Sequence, residues 1–144
     1  MTHDEKIESL LLQYIGLLKQ KQPLRQSPDR IELPARDGNC QLYSVKQIIS
    51  LSGSGTYTIV HLLKGGSHEE VVLCHNLGYW EKVFNDFGFL RLHRSRLINP
   101  DFIIDFNNVT HYLELPFLLS FKVPEPYRQT LHIYFHNRHN TAGE

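Results

Sequence analysis

One short segment of the chain concentrates groups that bind anions. The run "RLHRSRLIN", residues 91–99, places Arg91, Arg94 and Arg96 beside His93 and Ser95. Arginine presents a planar fork of N–H donors that suits phosphate oxygens and guanine edges, and serine adds a short hydrogen bond. The plainer interpretation is a solvated patch that pairs with distant carboxylates. Composition alone does not separate the two.

Three histidines near the end of the chain are a second candidate group, because histidine side chains bind metals. His132 and His136 are four positions apart, so on a helix they would share a face, with His139 nearby. No glutamate completes an HExxH pattern, and the segment lies close to a chain end that is expected to fray. We therefore expect surface histidines rather than a metal site, and we expect no cofactor.

The residue patterns of catalysis are missing from the sequence. Ser54 lies between Gly53 and Gly55, but a strand follows, whereas a phosphate-binding loop must open a helix. No GxSxG motif occurs, and Cys74 and His75, adjacent on a strand, would point to opposite faces. We predict a binding protein and not an enzyme, in which the Gly-Ser-Gly segment is a mobile connector that carries binding groups.

Composition limits the partners that the chain can have. Its 144 residues suit one domain with a modest extra element, and 15 basic residues against 15 acidic ones confine any nucleic-acid surface to a local patch. Cys40 and Cys74 form neither a CxxC motif nor a disulfide framework. The apolar runs are too short to span a bilayer, and no signal peptide opens the chain. These features predict a cytoplasmic protein with reduced cysteines.

The first 22 residues are predicted to form an amphipathic helix. Thr2 and Glu5 fit a capping box, and Pro23 ends the periodic pattern ahead of a linker at residues 23–29. Five apolar residues recur at helical spacing along one face: Ile7, Leu10, Leu11, Tyr14 and Leu18. A helix of this length is marginal alone in water, so the stripe needs a partner. Packing on its own domain and dimerisation are equally open.

The remaining sequence predicts a mostly β domain over residues 30–137, followed by a polar tail at residues 138–144. Short apolar and β-branched runs separated by turns, such as Asp37-Gly38, indicate antiparallel strands. One middle helix is predicted after Asn76, its cap. Its apolar face packs on the core and consists of Leu77, Trp80, Val83, Phe84 and Phe87. Pro124 and Pro126 can open a short C-terminal helix.

The ordered series of motifs from Arg30 to Leu131 resembles the LytTR family of bacterial DNA-binding domains. The run "IISLSGSGTYTIVHL" is similar to the family's strand, loop and Asn-Tyr-Thr strand, with Thr56 in the usual asparagine position. The run "NLGYWEKVFNDFGFLRLHRSRLIN" is similar to its helix and His-Arg-Ser segment, where His93, Arg94, Ser95 and Asn99 match in register.

The resemblance implies an elongated antiparallel LytTR-type β fold and DNA binding by loops that enter successive major grooves of repeated half-sites. By position, the DNA-binding residues are Ser54, Thr56, Tyr57, His93, Arg94, Ser95, Arg96, Tyr127 and Arg128. His93 would hold its turn through a backbone hydrogen bond while Arg94 faces the DNA. At the third contact site, the start of the last helix, the family usually has Ser-Arg. This chain has Pro126-Tyr127 in that place, with Arg128 one residue later. The preceding hairpin, "LPFLLSF", is apolar and would be a sticky patch if exposed.

The resemblance therefore predicts a bacterial transcriptional regulator that binds double-stranded DNA as a homodimer on direct repeats. Family members commonly follow the receiver domain of a two-component response regulator, and 29 residues cannot form one. The chain is then either the C-terminal portion of a longer protein, with that receiver domain as a further partner, or a stand-alone regulator paired by its first helix. The alternative from another class is a protein-interaction module that keeps the fold without binding DNA.

Overall fold

Short antiparallel strands make up most of the fold, as the sequence predicts. The computed structural model describes residues 7–9 and 30–142, with side chains as far as Arg138. The chain divides into two units, Met1–Arg30 and Ile31–Glu144. In the first unit residues 7–9 are helical. The rest of the predicted N-terminal helix and the linker lie outside the described residues.

In the described part of the chain the strands form three sheets. The first is a two-stranded sheet of β1 (Arg30–Pro34) and β2 (Cys40–Ser44). The second has five strands in the order β5-β4-β3-β7-β6, with β3 (Ile48–Ser54) at its centre. Its other members are β4 (Tyr57–Lys64), β5 (Ser67–Cys74), β6 (Leu90–His93) and β7 (Arg96–Ile98). The third sheet has the order β10-β9-β8, from β8 (Asp105–Phe106), β9 (Tyr112–Glu114) and β10 (Phe121–Lys122). All the paired strands of the second and third sheets run antiparallel.

Two hydrophobic cores lie on opposite faces of the five-stranded sheet. Successive side chains of a strand point to opposite faces of a sheet, and on β7 Leu97 belongs to the first core whereas its neighbour Ile98 belongs to the second. The first core packs under the middle helix, α1 (Leu77–Phe84), through Trp80 and Phe84. The second core packs against the three-stranded sheet and the last helix, α2 (Glu125–Ala142), which contributes Leu131.

The middle helix has the cap and the apolar face that the sequence predicts. The Asn76 Oδ1 accepts a hydrogen bond from the Tyr79 backbone N–H at 3.0 Å, which satisfies one of the free donors of the first turn. A 3-10 turn, Asn85–Phe87, extends the helix and ends at Gly88, whose φ of 81° suits glycine. The five residues predicted for its apolar face all pack in the first core.

Two local predictions are wrong in detail, and one strand was not predicted. Gly53 and Ser54 belong to β3, so the expected mobile connector is a tight two-residue turn at Gly55 and Thr56. Residues 96–98 form a strand, which alternation over only three residues could not reveal. The last helix continues to Ala142, through the predicted polar tail, because neither proline nor glycine interrupts it before Gly143.

Candidate nucleic-acid interface

The first candidate segment is the turn that joins β3 to β4, residues 54–57, called here the 54–57 turn. Ser54 and Tyr57 are the last paired residues of the two strands, and Gly55 adopts a φ of 63° between them. Two residues in a turn of this kind match the twist of the flanking strands, and glycine accepts the left-handed conformation without strain. Thr56 is exposed at the tip, whereas Ser54 and Tyr57 are half-buried.

The second candidate segment is the turn between β6 and β7, residues 93–96, called here the 93–96 turn. The Ser95 backbone N–H donates to His93 Nδ1 at 3.1 Å, and Ser95 Oγ lies 2.9 Å from the same nitrogen. Burial, followed by the positive charges of Arg96, Arg94 and Arg91, lowers the pKa of His93. The neutral imidazole keeps the lone pair that accepts from Ser95. His93 therefore holds the shape of the turn.

Arg91 braces the same turn from inside the fold. Its Nε donates to the His93 carbonyl at 2.9 Å, and its Nη2 donates to the Arg94 carbonyl. Its Nη1 forms an ion pair with Glu81 of α1 at 2.8 Å. All three guanidinium nitrogens of Arg91 are thus bound to the protein. Arg91 contributes positive charge to the region, but each of its guanidinium nitrogens already has a partner in the protein.

A backbone hydrogen bond ties the two turns together. The Gly53 N–H donates to the Ser95 carbonyl at 2.8 Å, and Ser52 pairs with Arg96 in the β3–β7 ladder. A β-carbon at position 53 would lie 3.1 Å from the Leu77 β-carbon and 3.8 Å from the Ser95 Cα, so glycine allows this close approach. The 54–57 turn and the 93–96 turn therefore keep a fixed spacing.

The two remaining arginines of the segment have different surroundings. Arg94 is exposed at the tip of the 93–96 turn, and its side chain makes no hydrogen bond or ion pair with any residue that the structure describes. Arg96 begins β7 and lies half-buried, with its guanidinium carbon 4.7 Å from the centre of the Phe121 ring. Arg94 is therefore free to bind an external anion, whereas Arg96 is held by stacking.

The third candidate segment is the start of α2. The preceding strand, β10, contacts the 93–96 turn, because the Phe121 ring that stacks with Arg96 also meets His93 edge-on, with centroids 5.9 Å apart. Tyr127 is half-buried and packs against the second core. The Arg128 Nε donates to the Val123 carbonyl at 3.0 Å. This contact orients the guanidinium and leaves its two terminal NH₂ groups without a bond to the described residues.

One arginine beside these turns was missed in the sequence. Arg36 lies in the β1–β2 connection, which is attached to β5 by a hydrogen bond from the Arg36 N–H to the Val72 carbonyl at 2.7 Å. Its guanidinium carbon stacks 5.2 Å from the centre of the Tyr57 ring, and the side chain is exposed. No local pattern marks it, because the contact depends on how the β1–β2 connection meets the larger sheet. Arg36 adds a cation next to the 54–57 turn.

The histidines give a different picture from the sequence. His132 and His136 lie on α2, and the side chain of His139 is outside the described residues. Within the described part of the chain, the group whose ligand atoms come together is instead His61, His68 and Glu70. Gly65 and Gly66 are the sequence feature that could have indicated this group, because they allow a two-residue hairpin turn. That turn fixes which residues of the two strands face each other.

Comparisons with known proteins found a matching family model and a similar solved structure. The family model described as the LytTr DNA-binding domain matches residues 39–133. A solved structure described as the LytTr DNA-binding domain of a putative methyl-accepting/DNA response regulator from Bacillus cereus is similar at a TM-score of 0.58 and 18% sequence identity. That match covers 73% of this chain and 94% of the other. No curated protein matches the sequence. No helix in the described residues is long and apolar enough to cross a membrane.

Proposed function

Because the chain belongs to the LytTR family of DNA-binding domains, we propose that it binds specific sequences of double-stranded DNA as a bacterial transcriptional regulator. The observation that carries this proposal is the hydrogen bond between the Gly53 N–H and the Ser95 carbonyl, which joins the 54–57 turn to the 93–96 turn. Two turns at a fixed spacing, one tipped by an exposed arginine, can contact neighbouring parts of one duplex without rearrangement.

We assign the main base-reading role to Arg94. Its side chain is exposed and has no partner among the described residues, so its full donor fork is available to O6 and N7 of a guanine in the major groove. Ser95 and Thr56 are small hydroxyl side chains close to the two tips and suit phosphate oxygens or base edges. His93 acts by holding the turn, and Arg96 acts through its charge while its guanidinium stacks on Phe121.

The third contact comes from the start of α2, next to the 93–96 turn. Arg128 supplies it in our proposal, since its guanidinium is oriented by the Val123 carbonyl and keeps two NH₂ groups for a phosphate. Tyr127 contributes mainly by packing, because its ring lies against the second core. The proline at position 126 fits the first turn of the helix, where a backbone N–H has no partner to lose.

We further propose that two copies of the chain bind repeated half-sites, with their turns in successive major grooves. The apolar stripe predicted for the first 22 residues supplies the pairing surface. Linking two modest DNA-binding surfaces raises the effective concentration at the second half-site. A regulator of this kind must reach chromosomal DNA, so we expect it in the cytoplasm. We also expect a receiver domain to regulate this DNA binding, as in a two-component response regulator.

A second function is favoured by one specific observation. The connection between β9 and β10 exposes two apolar side chains, Phe117 at 40% and Leu118 at 99%. Both residues adopt positive φ angles of 57° and 62°, which costs free energy in non-glycine residues. An exposed apolar tip of this kind suits a protein partner. The competing proposal is therefore a protein-interaction module that keeps the fold without binding DNA.

Selection from a random duplex library tests the two functions directly. The chain is incubated with the library at low salt, and the enriched duplex is compared with a scrambled duplex of equal length. We expect tighter binding to the enriched duplex, and an affinity that falls with salt at a log–log slope of about −0.9 per neutralised phosphate. No enrichment, together with no duplex binding at low salt, would favour the interaction module.

A further inference from the structure

We propose that His61, His68 and Glu70 form a binding site for a divalent transition metal of the zinc type. The ligand atoms of these three side chains all lie within 4.8 Å of one another. The site lies on the β4–β5 hairpin and uses none of the residues assigned to DNA contact. It is therefore independent of the proposed function.

The register of the hairpin brings the three side chains together. A two-residue turn at Gly65 and Gly66, with φ angles of 59° and 80°, makes His61 the direct partner of Glu70 and Leu63 the partner of His68. Residues that face each other across a pair, and residues two apart on one strand, share the same face of a sheet. All three ligands therefore point to the side covered by the second core, where Leu63 packs.

The distances fit a single ion. Two ligands bound at about 2.0–2.1 Å in a tetrahedral arrangement lie about 3.3 Å apart. His61 Nδ1 lies 3.0 Å from His68 Nε2 and 3.8 Å from Glu70 Oε1. The two nitrogens are thus slightly closer than a shared metal requires, and the carboxylate is slightly farther. Glu70 is exposed, so its side chain can rotate to shorten the longer distance without disturbing the core.

The surroundings orient the ligands as metal sites require. His61 is 7% exposed, and its other nitrogen, Nε2, lies 2.9 Å from Ser52 Oγ. When His61 Nε2–H donates to that hydroxyl, Nδ1 presents its lone pair to the site. Histidine ligands commonly have such a partner on the nitrogen that faces away from the metal. Phe117 stacks on the His68 ring with centroids 5.5 Å apart, which restricts the second imidazole.

The ligand set indicates the class of ion. Two neutral imidazoles and one carboxylate suit zinc and its neighbours in the transition series better than magnesium or calcium, which prefer oxygen ligands alone. Three protein ligands leave a fourth position for water. The bound ion would lie on the same face as Ser52, which pairs with Arg96 of the 93–96 turn. Metal loading therefore places a positive charge near the proposed DNA contacts.

Titration with Co²⁺ and Zn²⁺ tests the proposal on the chain without an affinity tag. We expect one Co²⁺ per chain with the absorption bands of four-coordinate cobalt, displaced by Zn²⁺, and a thermal unfolding midpoint raised by Zn²⁺. His68→Gln and Glu70→Gln each remove a ligand and should weaken binding by about a hundredfold or more, whereas Ser52→Ala removes only the partner of His61 and should weaken it by about tenfold. His68 and Glu70 are not fully buried, so these variants should fold; His61 is buried, so its substitution threatens the fold.

The double variant His132→Gln/His136→Gln is the matched control. It removes two histidines from α2 and should leave the Co²⁺ affinity and absorption unchanged. Loss of the signal in this control, with retention in His68→Gln, would assign the binding to α2 and overturn the proposal. The absence of saturable one-to-one binding in the micromolar range or tighter would also overturn it. The contact between His61 and His68 would then be a hydrogen bond alone.

Discussion

Arg91 and Arg94 are three residues apart, yet the structure predicts opposite consequences when each is replaced by alanine. Arg94→Ala removes an exposed side chain that has no partner in the described residues, so the free energy of unfolding should change by no more than about 0.5 kcal/mol. Arg91→Ala removes the Glu81 ion pair and two hydrogen bonds to the turn carbonyls. Both side chains of the ion pair are partly exposed, at 25% for Arg91 and 39% for Glu81, which limits its contribution.

The expected loss of stability for Arg91→Ala is about 2 kcal/mol. The screened ion pair contributes about 0.5 kcal/mol, and the two hydrogen bonds about 0.5–1 kcal/mol each, because water can replace part of them at the turn. For a domain of this size, the thermal midpoint should fall by roughly 8 °C. Glu81→Gln is the matched control on α1: it weakens only the ion pair and should lower stability by a smaller amount.

Affinity for DNA should follow the opposite order. Arg94→Ala should cost about 1–3 kcal/mol on the selected duplex and blur discrimination at one base position. Arg91→Ala should weaken binding less, and evenly across sequences. Arg94→Lys keeps the charge but loses the fork, so it should retain binding to scrambled duplex while losing discrimination.

Thermal unfolding and fluorescence anisotropy, measured at one salt concentration, report both quantities for each variant. The roles assigned to the two arginines are wrong if Arg94→Ala lowers the midpoint as far as Arg91→Ala does. They are also wrong if the two variants lose affinity to the same extent on both duplexes.

Three further perturbations test other parts of the account. Asn99→Ala should lower the free energy of unfolding by about 2–3 kcal/mol in urea denaturation. The reason is that the buried Asn99 side chain donates to the Ile48 carbonyl at 2.9 Å and accepts from the Asp101 N–H. An unchanged urea midpoint would contradict this. Burial lowers the pKa of His61 to about 4, against the opposing charge of Glu70 and with help from His68 and Arg96. The pKa of histidine in the unfolded chain is about 6.5. With a chelator present, the contribution of His61 to the free energy of unfolding should therefore be full above that pH and fall progressively down to about pH 4. His61→Gln, if folded, should flatten this pH dependence. Deletion of residues 1–22 should lower affinity for a double site far more than for a single half-site, whereas equal losses, or a wild-type chain that stays monomeric at high concentration with and without DNA, would exclude pairing by that segment.

The parts of the fold that local patterns encode were predictable. Asn76 followed by apolar residues at helical spacing indicated α1 and its cap, and both are present. The run "TYTIVHLL", residues 56–63, which is rich in β-branched and apolar residues, indicated the strand β4. These elements follow from short-range sterics and from burial of a periodic face. Short runs separated by turns indicated antiparallel strands, and the match of ordered motifs to the LytTR family added the LytTR-type fold; the structure confirms both.

The contacts that depend on how elements meet were not predictable. Strict alternation would put Arg91 and His93 on one face of β6, but a register irregularity between them lets the Arg91 guanidinium reach the turn carbonyls. The stacking of Arg36 on Tyr57 requires the β1–β2 connection to lie against the larger sheet. The proximity of His61 to His68 requires the hairpin register, which a two-residue turn sets and local composition does not.

Mapping the DNA-bound surface by NMR is the most direct test that the two turns and the start of α2 contact DNA. The ¹⁵N-labelled chain is titrated with the selected duplex at low salt, and changes in backbone amide shifts are followed residue by residue. We expect the largest changes in the 54–57 turn, the 93–96 turn and the first residues of α2, with small changes along α1. Changes concentrated on α1 or on Phe117 and Leu118, or no change at all with the selected duplex, would contradict it.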